Sequence, residues 1–332
     1  LNLLVGTNNS GKTSILEAIQ LLTSPSNLET LQDIMIGRGE YNINDENGNS
    51  RELDVRHLFY GHEIHIGAKF SIFDNSHANG DRINVDVEST EQPTKFEDLQ
   101  ELQLLIEWVG QPKVTLPLSS KEDLPLDYVR RIRRDIRNQG VKTQFVNSSS
   151  LTTEKMIELF DQVVLTPEEE LVTEALQTIE PNIKRIASVT SVSFLRYTRS
   201  HRGFVVRLSN SNQRIPIGSM GDGIWRMLGL TLAIVNAKNG VLLVDEIDTG
   251  LHFSAMADMW KLIWKTAKRL NVQVFATTHN SDCWKSLAAI ASTEAPSEEG
   301  ITIQRIEKGK PNSIVFTERQ VVIAAERGIE VR

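Results

Sequence analysis

Cysteine is nearly absent: Cys283 is the one thiol in 332 residues, so no disulfide can form within the chain. That excludes the disulfide-stapled secreted scaffolds and fits a protein kept reduced in the cytoplasm. No run of about eighteen apolar residues occurs, so no membrane-spanning helix is encoded. Positive charge is in deficit, with 36 Lys and Arg against 43 Asp and Glu. A net charge of −7 does not suit a protein that coats nucleic acid along its whole surface, although it leaves room for local basic patches. Tandem repeats and long low-complexity tracts are also missing. What remains is a chain long enough for one large or two medium domains with a proper core. The first residue is Leu1, not Met, and it already lies in an apolar run, so a preceding strand or two is expected.

The first informative segment follows at once. Leu1 to Val5 form a strand-like apolar run, Gly6-Thr7-Asn8-Asn9-Ser10-Gly11-Lys12-Thr13 fits G-x-x-x-x-G-K-[ST], and Ser14 to Leu22 have helical spacing. Strand, glycine-rich turn and helix in that order are the context of a phosphate-binding loop; a plain glycine turn need not fill every position. Gly6 and Gly11 let the backbone turn so that successive N–H groups, among them those of Asn8, Asn9, Ser10 and Ser14, converge on phosphate oxygens. The helix N-terminus adds its positive end, Lys12 reaches the β- and γ-phosphates, and the Thr13 hydroxyl can ligate Mg²⁺. These residues point to a nucleoside triphosphate.

Further along, Tyr41 to Ser50 reads as a surface loop, and 51–118 is strand-like, with runs at Ile64 to Ile66, Lys69 to Phe73, Ile83 to Val87 and Leu102 to Val109. From Lys121 to Ile186 the pattern becomes helical and charged, including a capping box at Thr166-Pro167-Glu168-Glu169. Strands are expected again at Ser191 to Phe194, Phe204 to Leu208 and Gln213 to Ile217. The last third alternates helix and strand, as a mostly parallel sheet requires.

Val241-Leu242-Leu243-Val244-Asp245-Glu246 is an apolar strand ending in two carboxylates, and ligands gather at the carboxyl ends of such strands. Asp245 is placed to hold Mg²⁺, directly or through water, and Glu246 to orient or deprotonate the water attacking the γ-phosphate. A second buried strand, Val274 to Asn280, presents His279 at its end, either as a structural residue or as a reader of the γ-phosphate. Between the loop and the acidic strand lies Gly218-Ser219-Met220-Gly221-Asp222-Gly223, small residues at the start of an apolar helix and a second anion site in the making.

The order Walker A, long insertion, degenerate signature, Walker B with Glu, D-loop and switch His resembles the head of ABC-type ATPases. Within that class it is more similar to RecF/SMC-like and OLD-family (overcoming lysogenization defect) ATPases than to transporter subunits. Asp245 to His252 ends in Leu-His where transporters usually show Leu-Asp, and the insertion between Lys12 and Ser219 is far longer than theirs. Two departures stand out: Met220 replaces the first glycine of the usual Ser-Gly-Gly, and no glutamine can be assigned to a Q-loop. The resemblance implies an α/β fold, a P-loop NTPase head of mixed sheet plus antiparallel lobe with a helical insertion. The expected parts are 1–118 (lobe I), 119–188 (helical insertion) and 189–332 (lobe II).

It also implies ATP hydrolysis with Mg²⁺ in a head-to-tail homodimer. Lys12, Glu246 and His279 of one subunit would face Ser219 and Gly221 of the other, with Asp248 and His252 near the seam and Thr13 and Asp245 on the metal. OLD-family proteins carry a TOPRIM nuclease after the head, and the segment beyond His279 is too short to hold one. A separate effector such as a TOPRIM-type nuclease is the expected partner, in anti-phage defence or DNA maintenance. A nucleotide-dependent sensor or scaffold with little turnover stays open as the alternative, and membrane partners are not expected.

Arg130, Arg131, Arg133, Arg134 and Arg137 cluster around residues of helical spacing. They read as a basic stripe for DNA or an acidic partner, or as a solvated face balanced by Asp127 and Asp135. Arg196, Arg199, Arg202 and Arg207 form a second basic set that could line a DNA-facing surface. His62-Glu63-Ile64-His65 lacks zincin spacing, and strand alternation would send its histidines to opposite faces. Cys283, Trp225, Trp260 and Trp264 read as packing residues.

Overall fold

The computed structural model describes residues 1–43, 51–75, 80–90, 102–119, 121–126, 129, 140–190, 202–211, 213–293 and 300–332. The chain begins with β1 (Asn2–Val5), α1 (Lys12–Leu22), α2 (Leu28–Arg38), β2 (Tyr41–Ile43) and β3 (Arg51–Leu53). There follow β4 (Lys69–Phe73), β5 (Arg82–Ser89), β6 (Leu102–Trp108), β7 (Val114–Pro117), β8 (Leu124–Pro125) and β9 (Thr143–Val146). Next come α3 (Thr153–Val163), α4 (Pro167–Gln177), β10 (Ile183–Thr190), β11 (Arg202–Leu208), β12 (Arg214–Pro216) and α5 (Asp222–Asn236). The last elements are β13 (Val241–Val244), α6 (Phe253–Leu270), β14 (Gln273–Thr278), α7 (Ser281–Thr293), β15 (Thr302–Arg305), β16 (Ile314–Thr317) and α8 (Glu318–Glu326).

Two compact units result: residues 1–16 with 142–332, and residues 17–141. The first is built on a sheet with strand order β16-β15-β1-β14-β13-β9. Neighbours pair in parallel except β16, which runs antiparallel to β15. All four β13 residues are buried, as are Leu3 to Val5 of β1, so these strands carry apolar side chains on both faces. A strand covered by helices on both sides needs that composition. On α6, Met256, Met259, Trp260, Ile263, Trp264, Ala267 and Leu270 recur at helical spacing and are buried in the same core. The Trp260 indole N–H donates to the Cys283 carbonyl at 2.9 Å, which satisfies its polar end inside the core. A separate antiparallel sheet, β10-β11-β12, adds Ile183, Ile186, Phe204 and Val206 to this core.

The second unit has its own core around an antiparallel meander, β4-β5-β6-β7. Period-two alternation turns Ile83, Val85 and Val87 of β5 inward with Leu104 and Ile106 of β6. A smaller sheet, β2-β3-β8, and the capped helix α2 complete it.

Several expectations are revised. The division at 118/119 and 188/189 does not follow the compact units, whose chain boundaries fall at 16/17 and 141/142. The expected helical insertion is split: β9 is an edge strand of the main sheet, and α3 and α4 bury Met156, Leu159, Phe160, Val172 and Leu176 in its core. β9 escaped the pattern reading because only Val146 of its four residues is buried. β10 begins at Ile183, inside the stretch read as helical. Residues 64–66 form no strand; the preceding segment turns through two short 3₁₀ stretches, with Gly61 at φ 84° and His62 at φ 59°. The strand expected at 213–217 is confined to 214–216, because Ile217 opens a 3₁₀ turn. Tyr41 to Ile43, read as loop, form β2. The Ser191–Phe194 strand, the stripe Arg130, Arg131, Arg133, Arg134 and Arg137, and Arg196 and Arg199 lie outside the described residues.

The placement of α3 in the main core is testable. The Phe160 ring meets Phe204 edge to face, centroids 5.5 Å apart, and is 2% exposed. Phe160→Ala is expected to lower the unfolding free energy by about 3–5 kcal/mol in denaturant titration followed by tryptophan fluorescence. An unchanged midpoint would place α3 outside the core.

Candidate functional site

Because β1, β14 and β13 lie side by side and parallel, their carboxyl ends meet along one edge of the sheet. The loop after β1, His279 after β14 and Asp245 after β13 therefore come together. The loop needs its first glycine for a measurable reason. Gly6 has φ 147°, and a Cβ there would stand 2.3 Å from the Ile306 carbonyl oxygen. Gly11 has φ 94° and Asn9 φ 58°, so the backbone reverses hand twice before α1 begins at Lys12.

Lys12 is buried, and its ammonium donates to the Gly6 carbonyl at 3.0 Å and the Thr7 carbonyl at 2.8 Å. Burial lowers its proton affinity from the ordinary lysine value, and the Asp245 and Glu246 carboxylates partly restore it. The Thr13 hydroxyl donates to the Asp245 carboxylate, 3.1 Å from either oxygen. Thr277, fully buried on β14, donates its hydroxyl to Asp245 Oδ1 at 2.6 Å and accepts the Glu246 N–H at 2.8 Å. Thr278 donates to Asp248 at 2.7 Å. His279 Nδ1 lies 3.7 Å from Glu246 Oε1, with both side chains partly open to solvent.

Glu246 has φ 45°, a backbone conformation that costs a non-glycine residue on the order of 1–3 kcal/mol. Its surroundings hold it there: its N–H is bound by Thr277, its carbonyl accepts from Thr249 N–H and from Arg226, and its carboxylate accepts from the Thr249 hydroxyl. Arg226 was not singled out from sequence. It lies on α5, 3% exposed, and donates to the carbonyls of Asn147 at 2.8 Å, Asp245 at 3.1 Å and Glu246 at 3.0 Å. Burial pushes its guanidinium down to about 10, and Asp248, Asp245 and Glu246 oppose that shift, so it stays charged at neutral pH. An arginine inside the apolar pattern of α5 was the available signal, because a buried charge needs a polar destination.

The remaining candidates sit around the start of α5. Ser219 is exposed and donates to the Pro216 carbonyl at 2.7 Å, while Gly221 caps the helix at φ 98°. The turn after β13 approaches this helix start, Gly250 facing Asp222. His252 caps α6 by accepting the Ser254 N–H, beside the exposed Phe253 ring. Asn8, Asn9 and Ser14 are exposed on the loop and first turn. Among the described residues no group of three or more His, Cys, Asp or Glu could hold a metal by itself, the His62 and His65 segment included. Cys283 is fully buried, and burial raises its thiol well above the usual range, so it is a packing residue.

The site fits a magnesium nucleotide. The Ser10 hydroxyl oxygen is buried with no hydrogen-bond partner among the described residues, beside a backbone cradle that a Cβ on Gly6 would fill. Thr13 and Asp245 offer the hard oxygen donors that Mg²⁺ prefers. This combination on a mostly parallel α/β sheet defines a P-loop ATPase domain. The chain belongs to the family described as "AAA domain, putative AbiEii toxin, Type IV TA system", which matches residues 1–282. It is 24% identical over 319 residues to an ATP/GTP phosphatase of Helicobacter pylori, across 85% of this chain and 80% of that protein. An uncharacterized protein of Methanocaldococcus jannaschii is 30% identical over 113 residues, 34% of this chain and 99% of its own. Among solved structures it resembles an SMC head bound to the C-winged helix domain of ScpA, at TM-score 0.47 and 12% identity, over 95% of this chain and 90% of that one. The SMC head domain from Thermotoga maritima gives TM-score 0.44 at 12% identity, over 95% and 89%.

Thr277→Val keeps the shape of the buried side chain and removes the hydroxyl that joins Asp245 to the Glu246 N–H. It is expected to cost about 1–3 kcal/mol in urea denaturation, because a backbone donor is left unpaired. A variant as stable as wild type would mean that this hydroxyl does not brace the site.

Proposed function

We propose that the chain hydrolyses ATP and closes as a homodimer around it, so that nucleotide state controls a separate effector. One observation carries the reading: the Thr13 hydroxyl reaches the Asp245 carboxylate at 3.1 Å beside Glu246 and His279. In this scheme the backbone of Gly6 to Ser14 cradles the phosphates, with Asn8, Asn9 and Ser10 at its tip. Lys12 leaves its carbonyl partners to neutralise the β- and γ-phosphates. Mg²⁺, when bound, offsets phosphate charge, and Thr13 and Asp245 would hold it. Glu246 takes a proton from the water that attacks the γ-phosphorus while the bond to the β-bridging oxygen breaks and ADP leaves. His279 contacts the transferred group. The name of the Helicobacter pylori relative, a phosphatase of ATP and GTP, supports turnover.

Ser219 and Gly221 reach the nucleotide of the opposite subunit, with Asp248 and His252 at the seam. Ser219 sits in an exposed turn at a helix N-terminus, where an anion is favoured. The effector is a separate polypeptide, such as a TOPRIM-type nuclease, in cytoplasmic anti-phage defence or DNA maintenance. The family description, which refers to a type IV toxin–antitoxin system, supports an effector-coupled role. No helix among the described residues is long and apolar enough to cross a membrane.

Lys12→Ala is expected to abolish binding of a fluorescent ATP analogue. Glu246→Gln should bind it normally, release phosphate about 10²–10⁴-fold more slowly, and accumulate as an ATP-bound dimer by size-exclusion light scattering. Turnover at the wild-type rate in Glu246→Gln would overturn its assignment. Wild-type assembly with ATP but without phosphate release would favour a nucleotide-dependent scaffold instead.

A further inference from the structure

The β10-β11-β12 sheet turns Ile183, Ile186, Phe204 and Val206 into the core and leaves its other face outward. Across that outward face Arg185 is the register partner of Arg207, and Arg207 of Arg214. Three arginines from three successive strands thus form one row, one per strand. All three are exposed, and none has an ion pair or side-chain hydrogen bond with a described residue. A register irregularity between Ile183 and Arg185 adds the exposed Lys184 beside the row. Like charges directly opposite one another on adjacent strands repel, and the chain elsewhere is net acidic. A bound polyanion would turn that repulsion into attraction.

We propose that this row docks the phosphate backbone of duplex DNA without reading its bases. Three properties of the face select that occupant. First, the positions next to the row in register, Ala187, Val205 and Pro216, are small and offer no aromatic anchor of the kind that centres a protein interface. Second, the same lack at these described positions leaves no stacking platform there of the kind used for single strands. Third, neighbouring strands lie about 4.8 Å apart, and long arginine stems can splay from that spacing to successive phosphates, where the guanidinium fork binds bidentately. The face is also placed to matter. β12 runs straight into the Ile217–Met220 turn that carries Ser219, so DNA seated on the row lies one short strand from the start of α5. Of the basic set read from sequence, only Arg207 belongs to the row; Arg185 and Arg214 join it through strand register.

The test is fluorescence anisotropy of a short labelled duplex with wild-type protein and with the combined variant Arg185→Gln, Arg207→Gln, Arg214→Gln, from about 50 to 200 mM salt. The variant should bind at least about tenfold more weakly, and its log–log salt slope should be shallower by about 0.9 for each arginine lost. Binding of the fluorescent ATP analogue, unchanged in the variant, shows that it is folded. Lys12→Ala should keep wild-type DNA affinity, so failure of the nucleotide assignment is distinguishable from failure of this one. Equal affinity and slope in wild type and variant would overturn the proposal, as would a wild type that does not bind the duplex at 50 mM salt. Loss of an acidic protein partner by the variant, with DNA binding intact, would also overturn it and reassign the face.

Discussion

Everything at the site hangs on the Asp245 carboxylate. It accepts the Thr13 hydroxyl from the first turn of α1 and the Thr277 hydroxyl from β14, and it terminates β13. Three elements that arrive from distant parts of the chain are thereby tied at one pair of oxygens. The tie is short-range and directional, so it holds only if the strands keep their order, with β14 between β1 and β13. That order in turn relies on strands apolar on both faces, for which burial between helix layers is the favourable state.

Around this carboxylate the fold accepts two costs. Glu246 keeps a positive φ, and Arg226 keeps its charge in the interior. The two are joined, since Arg226 donates to the Asp245 and Glu246 carbonyls on either side of the strained Glu246 Cα. Because Arg226 sits one turn into α5 and Ser219 and Gly221 directly precede that helix, one rigid element connects the turn to the acidic strand end. A residue held strained by several partners is aimed rather than free, which is what the role proposed for Glu246 as general base requires.

Which residues would stand together at the candidate site was largely legible in the chain. Gly6 to Thr13 and Val241 to Glu246 are contiguous, and their meaning depends on local backbone geometry and on residue types at fixed spacing. The structure puts them together with His279, as the order of motifs suggested. Pattern reading did less well wherever an element owes its form to a distant neighbour. β9, with one buried residue in four, has almost no signal of its own and exists as a strand because β13 pairs with it. Residues 64–66 show apolar alternation, yet they form no strand between the positive-φ glycines 61 and 67, and bonding to β5 begins only at Gly67, whose N–H donates to the Val87 carbonyl. The division into compact units failed to follow composition, because α3 and α4 are amphipathic helices whose apolar faces complete a core assembled from the last third of the chain.

The sequence by itself determined a glycine-rich loop of the P-loop ATPase kind, and that a strand with two terminal carboxylates belongs with it. Those facts are local: glycine freedom, a lysine and a threonine at fixed offsets, and apolar strands ending in acid. Only the tertiary structure decided that Thr277 and Arg226 brace the acidic strand end, that the helices expected as an insertion belong to the main core, and that Arg185, Arg207 and Arg214 stand in one row. The reason is the same in each case. Register and burial are set by partners far away in the chain, and no spacing within a segment encodes where those partners will be.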